Sequence, residues 1–174
     1  MPTGPIFLTQ LILGYVAWGL CFAAYGLPRL RAMDRVQAHR AIATLHSFRF
    51  FGLVFLVQGV VGPDLPPGFA PGAAYGDFAA GLLAILALLT ARIPWLFWSF
   101  VVAFNLVGAA DLLLDYGRAV QLGLPEHAGA LGGAYAIPII YVPLLMITHV
   151  VALYSLARPW PGAAQGRAGE AAAA

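Results

Sequence analysis

The chain contains 174 residues, of which 61% are hydrophobic and only 9% are charged, and its formal net charge is +2. A soluble globule of this length cannot bury so much apolar surface, because its surface-to-volume ratio is too high. The composition therefore excludes a soluble monomer, a disordered chain and a nucleic-acid-binding domain with a basic face, and it favours an all-α protein in a lipid bilayer.

Five apolar segments follow one another along the chain, and each predicts a transmembrane helix. They cover residues of about 6–27, 42–62, 76–91, 94–116 and 135–157. Four have the ~20 residues needed to cross a hydrocarbon core of ~30 Å, whereas the third is short. The predicted fold is a polytopic five-transmembrane-helix bundle over residues 1–158, followed by a disordered cytoplasmic tail over residues 159–174.

The arginines predict the orientation of this bundle. With five crossings, Arg118 lies on one side, Arg49 lies inside the membrane, and the other seven share the opposite side: Arg29, Arg31, Arg35, Arg40, Arg92, Arg158 and Arg167. Because cytoplasmic loops carry an excess of positive charge, this split places the N-terminus outside the cell and the C-terminus in the cytoplasm. The expected partners are the lipid bilayer and either a second copy of the chain or a larger membrane complex.

Three ionisable side chains form an inner set at similar depth. His46 and Arg49 lie roughly 6 and 10 Å along the second predicted helix, and His149 lies roughly 12 Å from the same side on the last one. One interpretation is that the two imidazoles are axial ligands of haem b or bind another metal, with Arg49 pairing with an anion. A second interpretation is a site for a polar ligand or a proton. The alternative is structural: each histidine bonds across the bundle, and Arg49 pairs with an acid or extends to the interface.

A second, outer set lies mainly on the fourth predicted helix. Asp77 opens the third helix, where it fits an N-cap. Asp111 is expected either to pair with Arg49 or to face a water-filled cavity, Asp115 to reach the interface, and Asn105 to join helices. One helical stripe of about 120° holds Asn105, Gly108, Asp111, Leu112 and Asp115.

Three functions are compatible with these residues. The first is a membrane protein that handles a small ligand, an ion or a proton at His46, Arg49, Asn105, Asp111 and His149, with Asp77 and Asp115 as secondary polar groups. The second is a redox accessory that binds haem b through His46 and His149. The third is a non-catalytic subunit or assembly partner of a membrane complex. No motif assigns a catalytic residue, and an enzyme is the less favoured reading.

Several short motifs resemble a group of uncharacterised small multi-pass bacterial membrane proteins. The motifs are the stretch His46–Leu53, the pair Gly76-Asp77 before Ala80-Gly81, the run Asn105–Gly108 with Asp111-Leu112, and the spacing of Leu145, His149 and Leu153. The resemblance covers roughly residues 40–157. It implies a helical bundle and a bacterial source, and it implies no activity.

Overall fold

The computed structural model describes residues 2–158 and 160, and within these residues the chain is helical and has no β-strand. The all-α class is therefore confirmed. Six α-helices are present in the described part, so the predicted count of five helices is not supported. They are α1 (Thr3–Cys21), α2 (Leu27–Ala32), α3 (Arg35–His46), α4 (Phe69–Leu89), α5 (Pro94–Gln121) and α6 (Val142–Ala157). Two 3-10 segments (Ser47–Leu56 and Leu124–Tyr135) and two π-helical turns (Phe22–Gly26 and Ile137–Tyr141) complete the described helical structure.

Four helical segments of the described chain are long and apolar enough to cross a membrane. They are Thr3–Ala32, Phe69–Leu89, Pro94–Gln121 and Ile137–Ala157. Large apolar side chains also cover the outside of the bundle; Leu89, Leu113 and Val150 are 76%, 64% and 59% exposed. Contiguous apolar surface of this kind causes association in water, whereas hydrocarbon solvates it. The structure therefore supports a membrane protein.

The second predicted span, residues 42–62, is not one transmembrane α-helix. Helix α3 ends at His46, and the 3-10 segment Ser47–Leu56 replaces its continuation. In a 3-10 helix, side chains three residues apart lie on one face. His46, Arg49, Gly52 and Phe55 follow this spacing and are all buried. The intervening aromatic residues, such as Phe48, are exposed, so the period of three places Arg49 inside the bundle.

Helix α3 packs antiparallel against α6, and the chain continues from it toward the opposite end of the bundle. At one end, Arg35 Nη2 donates hydrogen bonds to the carbonyls of Ser155 and Leu156, at 2.8 and 2.9 Å. At the other end, the amide of Gly62 donates to the carbonyl of Ala130, at 2.7 Å. Ala130 belongs to the 3-10 segment that precedes α6. Residues 28–41 lie between the first two predicted helices, yet most of them are helical. The turn between α2 and α3 ends at Asp34, which caps α3 by accepting a bond from the Gln37 amide at 2.9 Å.

Helix α4 begins at Phe69, seven residues before the predicted start of the third helix. Pro71 lies in its first turn, where the absent amide proton costs nothing. The predicted loop 63–75 therefore ends at Gly68, whose φ of 89° is a conformation that glycine adopts without strain. With 21 residues, α4 is long enough to span the membrane. Asp77 consequently lies in the third turn of the helix, and its predicted role as an N-cap is wrong.

Helix α5 covers Pro94–Gln121, five residues longer at its end than the predicted segment 94–116. The segment predicted at 135–157 begins with the π-helical turn Ile137–Tyr141 and continues as α6. Trp18 of α1 donates its indole N–H to the carbonyl of Ile140 in that turn, at 2.8 Å. The predicted disordered tail covers residues 159–174, of which 159 and 161–174 lie outside the described residues. Its remaining residue, Trp160, is buried and donates to the Met33 carbonyl at 3.0 Å.

Two apolar clusters fill the two ends of the bundle. The Phe7 cluster contains Phe7, Phe55, Phe69, Leu124 and Leu131. The Phe97 cluster contains Ile42, Phe97, Val101, Phe104 and Ala152. Between them lies a set of buried polar side chains, which we call the polar layer: His46, Arg49, Asp77, Asn105, Asp111, Thr148 and His149.

Candidate functional site

Arg49 is the centre of the polar layer. Its side chain is fully buried, at 0% exposure. Its Nε donates to Asp77 Oδ1 and its Nη2 donates to Asp111 Oδ2, both at 2.7 Å. Its Nη1 donates to His149 Nε2 at 3.2 Å. One guanidinium therefore joins α4, α5 and α6, and of the two roles predicted for Asp111, the structure has the one in which it pairs with Arg49.

The hydrogen bonds of His149 require one neutral tautomer. A guanidinium can only donate, so His149 Nε2 accepts from Arg49 and carries no proton. The ring proton is therefore on Nδ1, which donates to Asn105 Oδ1 at 3.0 Å. The Asn105 amide nitrogen in turn donates to the Val101 carbonyl at 2.8 Å. The network thus holds His149 uncharged, with both ring nitrogens occupied, and Asn105 joins two helices as predicted.

His46 lies against His149 on the other side of the layer. The centroids of the two rings are 4.0 Å apart and their planes differ by 43°. His46 Nε2 and Thr148 Oγ are hydrogen-bonded at 2.9 Å, and Thr148 Oγ also lies 2.9 Å from the carbonyl of Leu144. His46 Nδ1 then has no hydrogen-bond partner among the described residues. The predicted proximity of the two histidines is therefore found, as a contact between ring faces.

Glycines allow the helices to approach the polar layer closely. A methyl group at Gly108 of α5 would lie 2.6 Å from His149 Nε2 and also overlap Arg49 Nη1. A methyl group at Gly52 would overlap the Asp77 carboxylate, and one at Gly76 would overlap the Asp111 carboxylate. Each of these positions has space only for hydrogen, because a polar group of the neighbouring element fills the place of a side chain.

The exposure of the polar side chains on α5 increases in steps from the layer toward Gln121. Asn105 is 0% exposed and the side chain of Asp111 is 8% exposed. One turn further on, the side chain of Asp115 is 16% exposed, and that of Arg118 is 41% exposed and donates to Asp115 Oδ1 at 3.2 Å. The predicted stripe therefore leads from the buried layer to the surface. In the direction of Pro94, the Phe97 cluster separates the layer from the surface.

A second pair of a histidine and a hydroxyl lies two turns away from the layer. His39 Nε2 and Ser155 Oγ are 2.8 Å apart, and His39 is 1% exposed. His39 and His46 are seven residues apart on α3, and Thr148 and Ser155 are seven residues apart on α6. The same contact between a histidine and a hydroxyl therefore repeats along two antiparallel helices. Residue 39 falls between the first two predicted helices, so hydropathy did not indicate that His39 is buried.

The geometry does not fit haem b. Axial ligation by two histidines requires a free ring nitrogen on each and space for the macrocycle between them. Here the two rings touch, and both nitrogens of His149 are bonded to Arg49 and Asn105. Among the described residues, moreover, no group of three or more His, Cys, Asp or Glu side chains could hold a metal ion. We therefore derive no chemistry from a haem or a metal.

Comparison with known proteins gives a family. A family model described as a domain of unknown function (DUF8737) matches residues 6–157. The chain belongs to this family. The DUF8737 match extends from within α1 to the last residue of α6 and includes the whole polar layer. The search of curated proteins and the search of solved structures each find no match. The resemblance to an uncharacterised family is thereby confirmed, and function must be argued from the site itself.

Proposed function

We propose that this protein binds and releases a proton at its polar layer, as the proton site of an integral protein of the bacterial inner membrane. One observation carries the proposal. The single positive charge of Arg49 faces two carboxylates, Asp77 and Asp111, in a cluster that is almost completely buried. With both carboxylates ionised, the cluster has one negative charge without a counter-charge.

An uncompensated charge inside a low-dielectric bundle costs several kcal/mol. One bound proton removes that charge. Arg49 keeps its own proton in any protein environment. His149 is held neutral by its two hydrogen bonds, since a second proton would place a cation against the guanidinium. The carboxylates of Asp77 and Asp111 are therefore the groups that share the exchangeable proton.

A proton has a polar route to the layer from one end of the bundle. Asp115 lies one turn from Asp111 on the same helix face, and Arg118 lies beyond it at the surface. Toward the other end, the Phe97 cluster and the buried pair of His39 and Ser155 lie between the layer and the surface, and they include no carboxylate. This asymmetry supports exchange with the compartment at the Gln121 end of α5.

The arrangement of arginines supports an orientation. Helix α3 contributes Ile42 to the Phe97 cluster at one end of the bundle, and its 3-10 segment contributes Phe55 to the Phe7 cluster at the other, so together they carry the chain from end to end. We propose that this stretch crosses the membrane, together with the four long apolar segments. The N-terminus then lies in the periplasm and the C-terminus in the cytoplasm. The expected association into a homo-oligomer or a larger complex stays a prediction.

Charge displacement after a pH jump tests the proposal. The protein is reconstituted into liposomes on a solid-supported membrane, and the pH of the bathing solution is changed. Binding of a proton inside the bilayer should produce a transient current, which Asp111→Asn should abolish. Asp64→Asn, a change of an exposed carboxylate in the loop before α4, should leave it unchanged. A wild-type signal no larger than that of empty liposomes would overturn the proposal.

A further inference from the structure

A surface cleft of about 400 Å³ lies between α3 and α4, at the end of the bundle that holds the Phe97 cluster. Its lining combines three polar and three apolar side chains: Gln37, Arg40, Thr44, Met33, Ala41 and Leu88. The four members from α3 are spaced as neighbours on one helix face, and all four are exposed. The cleft therefore opens outward, and its volume is in the range of sites that bind small molecules.

The position of the cleft corresponds to the depth of the lipid headgroups. Leu88 is the last but one residue of α4, and the exposed side chains of Trp95 at the start of α5 and Tyr154 in the last turn of α6 lie at the same end. Tryptophan and tyrosine are enriched where hydrocarbon meets water. Toward the middle of the bilayer, the exposed side chains include Phe48, just after α3, and Leu82 of α4. Acyl chains attached to a headgroup in the cleft would thus contact apolar surface.

Positive charge is in large excess at this end of the bundle. Six arginines of the described chain lie here: Arg29, Arg31, Arg35, Arg40, Arg92 and Arg158. The acid among them is Asp34, which caps α3. The ion pairs within residues 2–158 and 160 are those of Arg49 and Arg118, so Arg40 lines the cleft without a paired carboxylate. The cleft therefore favours an anion, and basic pockets between transmembrane helices are typical sites for anionic headgroups.

The lining also discriminates between kinds of headgroup. A guanidinium binds a phosphate through two parallel, charge-assisted hydrogen bonds, and the Gln37 amide offers a further donor. The Thr44 hydroxyl donates to the Arg40 carbonyl at 2.9 Å, so its oxygen can accept from a hydroxyl of the headgroup. The six lining residues include no carboxylate, so the ammonium of a zwitterionic headgroup would have no partner among them.

We propose that this cleft binds the headgroup of one anionic phospholipid, with the phosphate on Arg40. The lipid belongs to the leaflet at the arginine-rich end, and its acyl chains lie along the outside of the bundle. This binding is independent of the proton at the polar layer, so the failure of either proposal leaves the other standing.

Native mass spectrometry of the full chain in detergent tests the proposal with two lipids of identical acyl chains, phosphatidylglycerol and phosphatidylcholine. One molecule of phosphatidylglycerol should bind at least about tenfold more tightly, the equivalent of one charge-assisted hydrogen bond. Equal affinity of the two lipids would overturn the proposal. Glycerol phosphate has the phosphate without the acyl chains and should not displace the lipid; displacement would show a site for a soluble phosphate and overturn the lipid as the occupant.

Variants separate the cleft from the general positive charge of this end. Arg40→Gln should reduce the affinity for phosphatidylglycerol to that for phosphatidylcholine, whereas Arg31→Gln, which removes the same charge from an exposed position outside the cleft, should bind as the wild type does. Equal losses in both would overturn the assignment. Ala41→Phe fills the cleft without removing a charge and should abolish the preference, which Ala110→Phe at an exposed position of α5 should retain. A preference that survives Ala41→Phe would also overturn the assignment to this cleft.

Discussion

Substitution of Gly108 by alanine should strongly destabilise the protein, because this glycine lies against the centre of the polar layer. The added methyl carbon would be 2.6 Å from His149 Nε2 and 2.8 Å from His149 Cε1, and it would overlap Arg49 Nη1. Neither neighbour can move freely. Arg49 is held by two carboxylates, and His149 is held by Asn105.

The expected magnitude follows from two costs. Overpacking of a filled interior costs typically about 1–3 kcal/mol. Loss of the bond from Arg49 to His149 costs about 1.5–3 kcal/mol, since the donor is charged. The free energy of unfolding should therefore fall by about 2.5–6 kcal/mol.

Gly117 provides a matched control on the same helix. A methyl group there meets no atom within 4 Å. Gly117→Ala should raise the free energy of unfolding by about 0.5–1 kcal/mol, because alanine loses less backbone entropy in a helix than glycine does. Unfolding by sodium dodecyl sulfate in mixed micelles measures both variants. A Gly108→Ala protein as stable as the wild type, or two variants that shift in the same direction, would refute the packing described here.

Three further measurements examine other parts of the structure. Arg49→Lys should lower the free energy of unfolding by about 3–5 kcal/mol, because a single ammonium cannot bond the three partners of the guanidinium fork; wild-type stability would show that these bonds contribute nothing. His39 is 1% exposed and its Nε2 lies 2.8 Å from Ser155 Oγ, so the loss of this buried contact should cost about 1–3 kcal/mol. His39→Leu should lower the free energy of unfolding by that amount, and an unchanged value would show that this contact contributes nothing. Reporter fusions at the two termini should report opposite compartments, and the same compartment for both would contradict the proposed crossing by α3 and its 3-10 segment.

The long apolar helices were predictable from hydropathy, whereas the conformation of the segment after His46 was not. An apolar run of about 20 residues reports burial in lipid but not the number of residues per turn. The segment after His46 adopts a period of three, which the spacing of His46, Arg49, Gly52 and Phe55 indicates only once a 3-10 helix is considered. The prolines before α4 led to the late predicted start of that helix, although Pro71 is tolerated in its first turn.

The members of the site were predictable for a different reason. Charged and polar groups are costly inside a bilayer, so Arg49, Asp111, Asn105 and His149 were identifiable without knowledge of the fold. Their pairing was not, because it depends on which helices are neighbours. Asp77 was assigned to a helix end, since an Asp before an apolar run resembles an N-cap. The earlier start of α4 moves it inside, where it becomes the second carboxylate on Arg49.

Infrared spectroscopy of the carboxyl groups tests most directly whether two aspartates share one arginine and one proton. The wild-type protein in lipid at neutral pH should show the absorption of one buried protonated carboxyl group. Asp77→Asn and Asp111→Asn should each remove it, because either change leaves one carboxylate to balance Arg49, and Asp64→Asn should retain it. A wild-type spectrum with no protonated carboxyl group at neutral pH would contradict the account.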